Sequence, residues 1–506
     1  MTFLVGKPLT LAITATAGSG FLLFGYDQGV MSGLLSGDAF VQTFPEINTN
    51  TGANGSATLQ GTVVAIYEIG CFLGALMALF WGEKVGRRMC IMAGCVILSI
   101  GAALQCSAFS IPHMIVGRIV AGIGNGLNTS TIRTYLFLAV TFVSVQGITL
   151  SLFCLFLSAI SDKTDYGMSY VKNDAQFRFP IALQILFAIL TFIGIIGLPE
   201  SPRWLIAHGR ESEARRIIWS LQPNAHSITE DDAIVNQDVA EITQAIREEQ
   251  AATEESSFMM VFKNGPQKFL HRTLLGMGGQ MMQQLSGVNL ITYYNTVIFE
   301  KSVGMSHNLA LLLAGFNGVA YFVSTLVPIW TIDRLGRRKL MLFAVIGQCA
   351  CMAILAGTVW DGGHAAGLVA TVMLFLFNFF FGVGLLAIPW LLPAEYSPLA
   401  TRTRSAALAT ATNWLFTFLV VEITPVSIDN VGYRTYIYFA VFNFCFIPLI
   451  YFFYPETRNL TLEQIDHLFT GEKVKLHWHA SMGIAGHAEH RVGEKDAELA
   501  GVQHVE

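Results

Sequence analysis

Residues 278–300 read GGQMMQQLSGVNLITYYNTVIFE, a mostly apolar run that nevertheless carries Gln280, Gln283, Gln284, Ser286 and Asn289. Uncharged amides are costly in hydrocarbon unless they are hydrogen-bonded. An amide both donates and accepts, so a group of them suits a ligand built of hydroxyls and needs no fixed charge. At about 100° per residue, Gln280, Gln283 and Gln284 share an arc of about 100°, whereas Asn289 lies about 600° beyond Gln283. Both sets can face one ligand only if the helix breaks between them, and Ser286-Gly287 is the natural place. We therefore expect an irregular turn near Gly287, with Tyr293 and Tyr294 on a movable outer piece. Asp27 is a carboxylate in the first apolar run, and an intramembrane carboxylate is a functional candidate by default. Glu68 and Glu422 are further membrane carboxylates, for which the sequence names no partner.

The elements that position these side chains follow from composition. Of 506 residues, 53% are hydrophobic and 13% charged, with a mean hydropathy of +0.53, whereas a soluble domain carries about 25% charge. Twelve apolar windows are long enough to span a bilayer: 9–35, 59–81, 89–109, 111–132, 135–160, 180–198, 271–298, 307–331, 339–360, 368–392, 405–428 and 433–454. Only helices and closed barrels satisfy the backbone in lipid, so the chain reads as an all-α polytopic membrane protein whose first span is retained. Its cysteines lie in apolar runs without metal-ligand spacing and read as small core residues. No metal site, cofactor, nucleotide loop or nucleophile–base set is expected, and no nucleic-acid partner; the partners implied are the lipid bilayer and a small neutral solute.

Two charged motifs repeat. GEKVGRR, from Gly82, recurs as IDRLGRR from Ile332; PESPRW, from Pro199, recurs as PETRN from Pro455. Each pair occupies equivalent places, so the chain reads as a six-span unit used twice: a first half over 1–198, a helical linker over 199–270, a second half over 271–470 and a disordered tail over 471–506. The short loops at 82–88, 133–134, 332–339 and 393–404 hold twice the lysine and arginine of the opposite loops, which places both termini in the cytoplasm, with the plasma membrane the preferred site. Arg87, Arg88, Arg337 and Arg338 sit at helix ends on that face. The neighbouring acids Glu83 and Asp333, with Glu395 and Arg402, could pair with them or cap helix N-termini and so close an inner gate.

In order along the chain, GYDQGV, the GR at 117–118, the paired GRR loops, PESPRWL, QQLSGVN, PWLLPAE and PETRNLTLE resemble the sugar porter family of the major facilitator superfamily, and flanks such as YEIGCFLGAL resemble its fungal hexose transporters. The resemblance implies a twelve-helix bundle in two six-helix halves with a cytoplasmic helical linker, working on a monosaccharide by alternating access, as a monomer. It also implies sugar contacts from Gln283, Gln284, Asn289, Asn317, Trp390, Asn413 and Trp414, and an outer gate at Tyr293 and Tyr294. Trp390, Trp414 and Phe24 offer aromatic faces to the C–H side of a sugar; Thr417 stands where many members carry an amide. Asp27, with Arg118 as its family partner, implies proton-coupled symport: the unprotonated acid pairs with the arginine, and protonation frees the helices. A passive facilitator, in which that pair is structural, is the alternative. Residues 133–167 depart from the family, with no Asp or Glu between Glu83 and Asp162, so the first half lacks a counterpart of Glu395 and the chain could also be a transport-defective or sensor-like member.

Overall fold

The computed structural model describes residues 5–35, 37–49, 55–136, 164–222, 224–254, 258–265, 267–398, 401–458, 460, 465 and 468–470. The candidate side chains of Phe24 and Glu83, residues 137–160 of the expected fifth span and the expected tail lie outside the described residues. Among the described residues the protein is helical without strands. The first half contains α1 (Lys7–Leu34), a short α2 (Asp38–Thr43), α3 (Ala57–Val85), α4 (Arg87–Cys106), α5 (Ile111–Leu136) and α6 (Ala175–Ile196). Three helices follow in the linker: α7 (Pro202–Ala207), α8 (Glu211–Leu221) and α9 (Ala233–Glu254). The second half contains α10 (Phe269–Leu285), α11 (Val288–Val297), α12 (His307–Ser324), α13 (Val327–Leu335), α14 (Arg337–Asp361), α15 (His364–Gly384), α16 (Ile388–Tyr396), α17 (Arg402–Val431) and α18 (Arg434–Phe453). Nine helical stretches among the described residues are long and apolar enough to cross a membrane; α5 and the α10–α11 pair bury enough polar side chains to fall short of that measure.

The molecule is turned apolar side out where lipid would lie: Phe80, Phe109, Ile193, Trp360 and Phe452 are exposed. Inside the first half, glycines bring helices together. Gly122 of α5 lies against the Tyr67 carbonyl and Gly70 of α3, and Gly124 lies against Leu98 of α4, so a Cβ at either would collide with backbone. The glycine-rich run 117–126 is thus a packing surface.

One local expectation is corrected. The two-residue loop at 133–134 does not exist, because α5 runs on to Leu136. Nothing in TSTIRTYL breaks a helix, and the hydroxyls of Thr129, Ser130 and Thr131 bond back to carbonyls of the same helix.

The repeated GRR motif produces a repeated turn. Gly86 and Gly336 adopt φ of 95° and 92°, where a side chain would be strained, and each separates two helices. The first amides of α4 and α14 then need acceptors. Glu200 accepts from the N–H groups of Arg87 and Arg88 at 3.1 and 3.0 Å, and Glu456 from those of Arg337 and Arg338 at 2.9 and 3.2 Å. The PES and PET motifs are therefore carboxylate caps delivered from the end of each half.

Candidate functional site

The amide-bearing stretch breaks where expected. α10 ends at Leu285, Gly287 takes φ of 100°, and α11 begins at Val288. Asn443 of α18 holds the break by donating to the freed Ser286 carbonyl at 2.9 Å, while the Ser286 hydroxyl donates to the Gln283 carbonyl at 2.7 Å. The break also brings Asn289 back to its neighbours, with its amide donating to Gln284 Oε1.

Two glutamines of α10 face a second broken span. α15 stops at Gly384 and α16 starts at Ile388. In a helix the Leu385 carbonyl would accept from the N–H of residue 389, and the Pro389 carbonyl from that of residue 393; both are prolines and have no N–H. Gln283 Nε2 donates to the Leu385 and Leu386 carbonyls, both at 2.8 Å, and Gln280 Nε2 donates to Pro389 O at 3.0 Å. Side-chain amides thus replace the donors that PWLLPAE lacks. Asn413 of α17 completes the group, donating to Gln280 Oε1 at 2.7 Å and Gln283 Oε1 at 3.0 Å. Sequence reasoning assigned the amides to a ligand and missed this backbone role; the spacing of Pro389 and Pro393 was the available signal.

Other expected contact residues gather from neighbouring helices. Asn317 of α12 is fully buried with neither side-chain polar atom hydrogen-bonded. Trp414 is buried beside Tyr67, Cys71 and Ala121, at the seam between the halves, and Trp390 is half-buried. Thr417 bonds back to the Asn413 carbonyl at 2.8 Å. The result is a buried group of neutral donors and acceptors with aromatic surfaces nearby, the chemistry of hydroxyl recognition.

A second buried polar group belongs to the first half. Asp27 of α1 and Arg118 of α5 are 1% and 0% exposed. They are electrostatic neighbours but form no ion pair within 4 Å: Arg118 donates to the Val64 carbonyl at 2.9 Å and lies over the Tyr67 ring at 4.9 Å. Tyr67 and Gln184 stand around Asp27 without closing a well-formed hydrogen bond to it. Buried polar groups are normally satisfied, so this incomplete network is a functional signal.

The residues expected to gate divide by face. Away from the arginine-rich face, Tyr294 donates to Val421 O at 3.0 Å within the second half, whereas Tyr293 donates to Glu68 of the first half. Ser32 and Thr296 are 3.3 Å apart across the same seam, and Thr62 donates to Glu422 at 2.7 Å. On the arginine-rich face the ionic contacts of Arg337 lie within the second half. Arg337 meets Asp333 at 3.1 Å and Glu395 at 3.3 Å, and Thr457 donates to the other Glu395 oxygen at 2.7 Å. Arg88 donates to the Ile196 carbonyl at 2.6 Å, Arg338 to the Tyr451 carbonyl, and Arg402 to the Ser397 carbonyl at 3.2 Å. The caps Glu200 and Glu456 were missed as partners of these arginines, although PES and PET repeat in step with GRR.

Comparison with known proteins agrees with this architecture. The family model described as "Sugar (and other) transporter" matches residues 11–469. The chain is 38% identical to MFS-type transporter oryC of Aspergillus oryzae, over 92% of this chain and 86% of that protein. It is likewise 38% identical to Sugar transporter STL1 of Saccharomyces cerevisiae, over 92% of this chain and 82% of that one. Among solved structures, the proton:xylose symporter XylE bound to 6-bromo-6-deoxy-D-glucose superposes with a TM-score of 0.76 at 23% identity, covering 92% of this chain and 100% of the other. With a site built on broken membrane helices and a family match over nearly the whole chain, the protein belongs to the sugar (and other) transporter family of the major facilitator superfamily, and is a membrane transporter of that twelve-helix fold rather than an enzyme.

Proposed function

We propose that the protein is a proton-coupled symporter of a monosaccharide, of hexose type, working by alternating access. It acts as a monomer in the plasma membrane with both termini in the cytoplasm. The observation that carries the reading is the pairing of two unlike buried groups: neutral amides at Gln280, Gln283, Gln284, Asn289 and Asn413, and an incompletely bonded acid–base group at Asp27 and Arg118. The amides, with Asn317, Trp390 and Trp414, take the sugar; the acid takes the proton. Breaking the α10–α11 span at Gly287 gives the site a piece that can move, and the seam beside Tyr293 gives it something to close against. On the opposite face, Arg337 with Asp333 and Glu395 holds the second half's inner end, and the arginine–carboxylate caps set the geometry from which the halves rock.

Uptake of labelled hexose into proteoliposomes containing the full chain, with and without an inward proton gradient, tests the reading. We expect accumulation only with the gradient, and we expect Asp27→Asn to abolish accumulation while leaving sugar exchange. Gradient-independent uptake by the wild-type protein, or full coupling in Asp27→Asn, would favour the facilitator alternative instead.

A further inference from the structure

Glu68 is a buried carboxylate that the sequence left without a partner, and it lies where the halves meet. Its side chain on α3 is completely buried. One carboxylate oxygen accepts the hydroxyl of Tyr293, on the movable piece α11, and the other has no hydrogen-bond partner. The charged and titratable groups facing it are Tyr293 from α11, Arg118 from α5, Asp27 from α1, and Tyr67 and Cys71 from its own helix. Two acids and one guanidinium therefore share this pocket. If both acids are ionised, one buried negative charge has no counterion, which is costly, and a single proton held by the pair removes that cost.

We propose that Glu68 is a positioning residue, the acceptor of a latch that holds the Tyr293 gate of the second half against the first, and that it shares with Asp27 the proton that the one arginine leaves uncompensated. An ionised carboxylate accepts a stronger hydrogen bond than a protonated one. The latch tightens when Glu68 gives up its proton and slackens when Glu68 holds it, so protonation near Asp27 and release of the gate become one event. The inference rests on the transport reading, but its test needs neither a sugar nor a gradient.

Hydrogen exchange of the backbone over residues 288–302, corrected for the intrinsic rate, reads the latch directly in the purified full chain. In the wild-type protein, protection should fall on the order of ten-fold between about pH 8 and about pH 5. Glu68→Gln should hold the segment in the slack state at both pH values. Tyr293→Phe breaks the same bond from the other side and should do the same should Glu68→Gln fail to fold. The double variant should exchange no faster than either single one, and Glu68→Asp should recover part of the pH response. A wild-type segment indifferent to pH, an unchanged pH response in Glu68→Gln, or effects that multiply in the double variant would each overturn the latch. Failure of gradient-driven hexose uptake would count against the symport reading while leaving this measurement intact.

Discussion

The first and fourth spans of the first half are α1 and α5, helices of 28 and 26 residues that run unbroken. Their counterparts in the second half are both cut, one at Ser286-Gly287 and the other between Gly384 and Ile388. The chemistry divides along the same line. The unbroken helices carry charge, Asp27 and Arg118, whereas the cut ones carry or receive amides, Gln280, Gln283, Gln284 and Asn289. A cut helix exposes carbonyls and amides that can be exchanged for those of a ligand, and it supplies a place to bend. A buried acid beside a guanidinium works by the opposite logic: it needs fixed geometry and a dry setting for a change of charge to be felt. One repeated unit has thus been specialised twice, for polarity without charge in one copy and for charge on a rigid frame in the other.

Removing the donor that serves the cut span should give the largest effect. Gln283→Ala leaves the Leu385 and Leu386 carbonyls without their side-chain donor, at roughly 1–3 kcal/mol for each buried group left unsatisfied. Thermal unfolding in detergent should move to lower temperature, and hexose uptake should fall with it because the two carbonyls belong to the cut span. Uptake close to wild type would mean that these carbonyls do not depend on the side chain.

A sharper test exploits the missing backbone donor. Gln280→Ala should cost roughly 1–3 kcal/mol by stranding Pro389 O. Adding Pro393→Ala returns the N–H that the helix lacks at that carbonyl, so the double variant should regain part of the lost melting temperature without regaining sugar affinity. Absence of any recovery would make Gln280 a ligand residue only. The smallest effect belongs to the bend: Gly287→Ala places a side chain at φ of 100°, against Met352 and Phe439, at about 1–2 kcal/mol. It should slow exchange across the membrane more than it weakens equilibrium binding; equal losses in both would show that the bend serves binding rather than movement.

Much of this was legible in advance because hydropathy and the phase of side chains around a helix are local. The spans emerged from apolar windows, and the bend at Gly287 from the angle between Gln283 and Asn289. The partners of these groups were harder to read, since contacts between distant segments leave no local trace. Glu68 and Tyr293 are 225 residues apart in sequence, and Arg88 reaches its Glu200 cap from 112 residues away. The amides of Gln280 and Gln283 show a third case. Their need for partners was evident, but two explanations met the same need, a ligand's hydroxyls and a proline-interrupted backbone, and only the positions of Pro389 and Pro393 opposite α10 reveal the second. The loop expected at 133–134 is absent for a different reason: TSTIRTYL contains no helix breaker, so α5 continues to Leu136.

The glycine contacts between α3, α4 and α5 carry a mechanical consequence. Where backbones meet with no side chains between them, there is little that can compress or rotate, and three helices act as one stiff block. Compliance must then reside elsewhere, and the ten residues of α11, hung from a glycine and secured by Asn443, are suited to supply it. On this view the site is a soft finger working against a hard wall, and the wall's rigidity allows a small displacement of the finger to act as a gate.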